Sequence, residues 1–176
     1  MKKAILTFAA VVVLGGMAFS QISLGGRFYS GLSTGFEASL LYDMGQNTRI
    51  EADLGASFGV MSKKYDAVNV LGNHYTYTGY PAYHVVTATG SYQWTFDIIK
   101  GFGWFVGPAA QIGFGSNSDG DFYMRLAAGA QGGVQYKFDF PLQVSLDVRP
   151  MIDFIHLADP RSLLDLGVAA GVRYCF

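Results

Sequence analysis

From Leu163 to the end of the chain the side chains alternate without a break. Leu164, Leu166, Val168, Ala170, Val172, Tyr174 and Phe176 are apolar, while Asp165, Gly167, Ala169, Gly171, Arg173 and Cys175 between them are small or polar. A β-strand sends successive side chains to opposite faces, so this stretch predicts a strand with unlike surroundings on its two sides. The same period recurs upstream. Phe122, Met124, Leu126, Ala128, Ala130, Val134, Tyr136 and Phe138 share one parity, against Tyr123, Arg125, Ala127, Gln131, Gln135 and Lys137. Leu142, Val144, Leu146 and Val148 oppose Gln143, Ser145, Asp147 and Arg149, and Ile50, Leu54, Phe58 and Val60 oppose Arg49, Glu51, Asp53 and Ser57. Alternating segments near 22–30, 35–42, 48–60, 84–98, 103–115, 122–138, 142–152 and 163–175 predict eight strands.

Two architectures accommodate that pattern. A soluble sandwich buries the apolar face, whereas a membrane barrel turns it to lipid and keeps a polar interior. Segments of thirteen residues or more exceed the usual globular strand of about five or six and suit tilted membrane strands. Connections also alternate in length. Those near Asp43–Asn47, Ile99–Phe102 and Asp139–Pro141 are short, Met61–Tyr83 is long and Asp153–Ser162 is intermediate. Short turns at one end and longer loops at the other are the outer-membrane arrangement.

The amino terminus agrees. Lys2 and Lys3 precede an apolar run from Ala4 to Leu14, and Ala18-Phe19-Ser20 forms a small-x-small site before Gln21. Residues 1–20 therefore read as a cleaved signal peptide, and 21–176 as a single domain. Cleavage removes Lys2 and Lys3 and takes the formal charge from -1 to -3. That balance gives no reason to expect a nucleic-acid partner. Cys175 is the only cysteine, so no intramolecular disulfide exists.

On these features the chain resembles the small eight-stranded outer-membrane barrels of the OmpA/OmpX-like group. The resemblance covers Gln21 to Phe176 and rests on the alternation, the leader and the terminal aromatic residue. It implies an all-β, eight-stranded antiparallel up-and-down transmembrane barrel in the outer membrane, with both termini in the periplasm. It also implies contact with outer-membrane lipids and insertion by the barrel assembly machinery. The ending Val172-Arg173-Tyr174-Cys175-Phe176, with Tyr174 and Phe176 on the outward parity, would be the assembly signal.

On that register the inward charged residues are Arg27, Glu37, Arg49, Glu51, Asp53, Asp97, Arg125, Lys137, Asp147, Arg149, Asp165 and Arg173. Facing lipid they would cost several kcal/mol near the midplane, whereas inside a narrow barrel they can pair. A ring of Arg49, Asp97, Lys137 and Arg173 is expected at the lower end. Eight strands leave an interior filled by side chains, so a structural polar network is expected ahead of a narrow transport channel. Outward Phe102, Trp104, Tyr136, Tyr174 and Phe176 suit one membrane interface, and Phe58, Phe114 and Phe122 the other.

Chemistry is thinly signalled. His74, His84 and His156 fall in or beside the longer loops, and Asp153, Asp159 and Asp165 near His156 lack the spacing of a metal site. Some outer-membrane barrels are lipid-modifying enzymes that use serine and histidine. Here the pairs to inspect are His84 with Ser118 and His156 with Ser162, without a motif to assign roles. Gly31–Gly35 lacks the lysine of a phosphate loop, and no cofactor signature is present. The long loop interleaves Tyr65, Tyr75, Tyr77, Tyr80 and Tyr83 with Asn69, Asn73 and His74. Such rings suit barrel-rim packing or contact with an extracellular protein or glycan. The expected function is thus non-enzymatic, structural or surface-interacting.

Overall fold

The computed structural model describes residues 21–31, 34–60, 63–68, 74–79, 82–118, 120, 122–156 and 164–176. Its strands are β1 (Ile22–Ser30), β2 (Thr34–Gly45), β3 (Thr48–Val60), β4 (Lys63–Val68), β5 (His74–Gly79), β6 (Ala82–Ile99), β7 (Phe102–Asn117), β8 (Phe122–Lys137), β9 (Leu142–His156) and β10 (Leu164–Cys175). Eight of them close into an antiparallel barrel in the order β1-β10-β9-β8-β7-β6-β3-β2. The expected eight-stranded barrel is therefore the observed fold. Ser23 pairs with Cys175 and Ser30 with Val168, which joins first strand to last and leaves no sheet edge in the barrel.

One element departs from expectation. The stretch from Met61 to Tyr83 reads as a loop, but β4 and β5 pair within it as a separate two-stranded hairpin, with Tyr65 opposite Tyr77. Its sequences, KKYDAV and HYTYTG, carry the aromatic and β-branched residues that favour strands.

Local chemistry sets the turns. Gln46 and Asn47 both adopt positive φ, 53° and 61°, so the β2–β3 link is a mirror-image turn whose twist matches the flanking strands. Thr48 Oγ1 donates to the Gly45 carbonyl at 2.7 Å and holds the turn closed. Inside the wall, the β6–β7 ladder skips from Ser91–Ala109 to Trp94–Val106 beside Pro108. The β8–β9 ladder likewise skips from Gly129–Met151 to Gly132–Val148 beside Pro150. Proline has no N–H to give, and the neighbouring Gly107 and Gly129 let the strands close up. A Cβ on Gly107 would land on the Tyr92 carbonyl oxygen, and one on Gly129 on that of Pro150.

The two faces of the wall are inverted relative to a water-soluble protein. Phe36 (68 % exposed), Leu54 and Phe122 stand outside, while Arg27, Arg149, Arg173, Glu51 and Asp147 are among the most buried side chains. Among the described residues, no outward position in the eight barrel strands holds Asp, Glu, Lys or Arg. The apolar cluster inside is small, comprising Ala109, Ala127 and Met151.

Candidate functional site

Because β1, β3, β9 and β10 each present odd-numbered residues inward, their charged side chains meet across the bore. Arg27 on β1 sends Nη2 to both oxygens of Asp147, at 2.6 and 2.7 Å, and Nη1 to Asp53 at 2.5 Å and Glu51 at 3.2 Å. Arg149 donates to Asp53 at 2.6 Å and to Glu37 at 3.3 Å. Glu51 is the hub. It accepts from Arg27, Arg173, Ser39, Gln93 and Gln131. Strands β1 and β3 are separated in the wall by β2, and β1 and β9 by β10, so these bonds span the lumen and do not follow the wall. Guanidinium forks matched to carboxylates give strong, directional bonds in such a low-dielectric bore.

A second cluster lies toward the longer loops. Arg125, half-buried, donates from Nε to Asp153 and from Nη2 to Asp165, both at 2.7 Å, and the Tyr29 hydroxyl donates to Asp165 at 2.9 Å. Asp153 therefore belongs to β9 and the interior and not to an external loop with His156. Strand β9 runs on to His156, four residues beyond the expected end at 152. Its inward parity, continuing from Arg149 through Met151, carries the signal that would have placed Asp153 inside.

Nine of the inward charged residues named from the sequence are buried: Arg27, Glu37, Arg49, Glu51, Asp53, Asp147, Arg149, Asp165 and Arg173. Asp97 and Lys137 depart from expectation. Both stand exposed at the short-turn mouth, where they line one vestibule with Arg49 but without Arg173, so the expected ring of Arg49, Asp97, Lys137 and Arg173 is incomplete. Strands β6 and β8 end there, at Ile99 and Lys137. Arg173 instead joins Glu51, Ser39 at 3.0 Å and Ser145 at 2.8 Å. Arg49 is held by the carbonyls of Gln93, at 2.6 Å, and Gln135, with its guanidinium 4.5 Å from the Phe105 ring. A search restricted to charged residues misses the amides. Gln93 and Gln131 are fully buried; Gln93 links Arg49 to Glu51 and Gln131 links Glu51 to Asp147, and their odd numbers on inward-facing parities were legible.

At the loop end, His84 and Ser116 are directly opposite in the β6–β7 ladder, both exposed on the outer face. Ser118, the expected neighbour of His84, lies past the strand and donates its backbone N–H to Ala82 at 2.8 Å. His156 is in β9, but its side chain and Ser162 lie outside the described residues, as do Asp159, Asn69, Asn73 and Tyr80. His74 begins β5 and is exposed. The side chains of Tyr65, Tyr75 and Tyr77 are also outside the described set. Tyr83 is half-buried, and a Cβ on Gly59 would come within 2.7 Å of its ring. Among the described residues no group of three or more His, Cys, Asp or Glu could hold a metal ion.

Aromatic rings band the outer face near both ends. Toward the short turns, Phe96 stacks on Trp104 at 4.4 Å, Tyr92 meets Trp94 at 5.2 Å, Tyr136 meets Phe138 at 4.8 Å, and Tyr174 meets Phe176 at 5.0 Å. Toward the loops, Phe28 lies 5.3 Å from Phe36, and Phe114 lies 6.4 Å from Phe122.

The same fold occurs in solved structures. Neisserial surface protein A is similar over 88 % of this chain and 96 % of its own, with a TM-score of 0.57 and 15 % identity. A major outer membrane protein from Thermus thermophilus is similar over 88 % of this chain and 98 % of its own, with a TM-score of 0.60 and 12 % identity. No family model matches the chain, and no curated protein matches it. At these identities the shared property is the fold of small eight-stranded outer-membrane barrels.

Proposed function

We propose that this chain, after removal of residues 1–20, is a plugged outer-membrane barrel with a structural or surface-interacting role and no catalytic one. The observation that carries the reading is the uncharged outer face between the two aromatic bands. Ten residue steps separate Trp104 from Phe114 on β7. They cover about 33 Å of strand, or about 25 Å along the axis at a tilt near 40°. That is the height of an outer-membrane apolar band.

The start of β1 and the end of β10 lie together at the short-turn end, where Phe176 donates its N–H to Ile22 at 3.0 Å, which supports a periplasmic position for both termini of the cleaved chain. Tyr174 and Phe176, both about half exposed on the lipid face, suit display to the barrel assembly machinery. On the opposite side the β4–β5 hairpin offers six-residue strands with tyrosines at 65, 75 and 77 as the candidate surface for an extracellular protein or glycan. The ion pairs crossing the bore support a closed lumen over a transport channel.

The test combines fractionation with function. We expect heat-modifiable protein in the outer-membrane fraction, no sustained conductance from monomers in planar bilayers, and no turnover of outer-membrane lipids. Recovery as a soluble periplasmic monomer would overturn the membrane reading. Lipid turnover abolished by His84→Ala in a folded barrel would overturn the non-enzymatic one.

A further inference from the structure

Among the described residues five arginines point into the barrel, and four of them reach carboxylates: Arg27, Arg125, Arg149 and Arg173. Arg49 is the exception. It is 2 % exposed, yet its guanidinium meets only the two amide carbonyls of Gln93 and Gln135 and the Phe105 ring. Its Nη2 has no hydrogen-bond partner. A buried guanidinium with no carboxylate in hydrogen-bond contact is incompletely satisfied, because an amide oxygen carries only part of the charge a carboxylate would supply.

The position of Arg49 explains what could complete it. It lines a vestibule of about 330 Å³ at the short-turn mouth, within the size range of small-molecule sites. Asp43, Asp97, Lys137, Gln135 and Gln143 share that lining. Gln135 is the only half-buried group of the set that bonds Arg49, and its Oε1 also accepts from Gln143 Nε2 at 2.8 Å. Rotating Gln135 aside would expose the guanidinium to the mouth.

We propose that this mouth binds the carboxylate end of a zwitterion, an amino acid or short peptide. The carboxylate replaces the Gln135 oxygen on Arg49, with Lys137 as the second cation. Asp43 and Asp97 receive the ammonium. The two wall carboxylates are what select a zwitterion, since they repel a dianion such as phosphate while pairing with an attached cation. The mouth offers these groups on whichever side of a membrane it opens.

The test uses the folded chain in detergent micelles, with the Arg49 side-chain N–H resonance as the readout. Alanyl-alanine should shift it saturably, acetate should bind about tenfold more weakly, the loss of the ammonium contact, and inorganic phosphate should leave it unmoved. Gln135→Glu gives Arg49 an internal carboxylate, so this variant should stay folded and lose the response. Lys137→Met should weaken the dipeptide without abolishing it. An absent response to the dipeptide, an equal response to phosphate, or an unchanged response in Gln135→Glu would each overturn the proposal.

Discussion

Replacing Arg27 with methionine removes the centre of the interior network while keeping most of its volume. Three carboxylates lose a donor, but unequally. Asp53 keeps Arg149 at 2.6 Å, and Glu51 keeps Arg173, Ser39, Gln93 and Gln131. Asp147 keeps only Gln131, at 3.1 Å. It therefore loses two short charge-assisted bonds while 1 % exposed. Each such bond contributes about 1.5–3 kcal/mol, and stranding a buried charge costs about 3–5 kcal/mol. Arg27→Met should lower stability by an amount in that range. Adding Asp147→Leu should restore at least half of it, because the stranded charge goes with its partner. The outward neighbour Val148, 46 % exposed, supplies the control, and Val148→Ile should cost less than about 1.5 kcal/mol. Urea unfolding from lipid vesicles, followed by the fluorescence of Trp94 and Trp104, measures all three. An Arg27→Met loss below about 1 kcal/mol, within the ordinary scatter of point variants, would refute the argument. So would a Val148→Ile loss that matches it.

Position along the outer face should matter as much as side. Ala110→Arg, midway between the aromatic bands on β7, should cost about 2–4 kcal/mol, and Phe122→Arg at the loop-end band about 0–1 kcal/mol from its charge; equal costs in vesicle unfolding would remove the membrane register. Gly167 lies against the Tyr29 ring, where a Cβ would clash with it and disturb the hydroxyl's bond to Asp165. Gly167→Val should cost about 1–3 kcal/mol by overpacking; unfolding midpoints of Gly167→Val measured in the Tyr29→Ala background, where the ring is gone, should show most of that cost removed, and an unchanged cost would show that the ring is not responsible. Cys175 is a buried free thiol, 8 % exposed, with Sγ 3.9 Å from Gln143 Oε1. Maleimide should label it far more slowly in the folded barrel than in urea, and equal rates would show that the final strand frays.

Strand positions were readable because alternation is a local property. The expected segment 48–60 coincides with β3, and 22–30 with β1, since each residue's parity announces its face. The reading erred where an element's end depends on company. Strand β9 extends to His156 because β8 pairs with it through Arg125, and that carries Asp153 into the interior. The β4–β5 hairpin was hidden for a different reason. Its tyrosines and threonines read equally well as binding residues in a loop, and only the pairing of the two segments distinguishes the cases.

By itself, then, the chain determined that charged residues face one way and apolar ones the other, because a strand's period of two needs no partner to take effect. Which charges meet was decided only by closure. Arg27 and Asp147 are 120 positions apart, and the stagger of eight strands around a ring sets the level at which each enters the bore. The same closure brought Glu51 to the hub, left Asp97 and Lys137 at an open end, and gave Arg49 two amides where its fellow arginines have carboxylates. Alternation within one strand cannot encode a stagger, because that is a relation between strands distant in sequence.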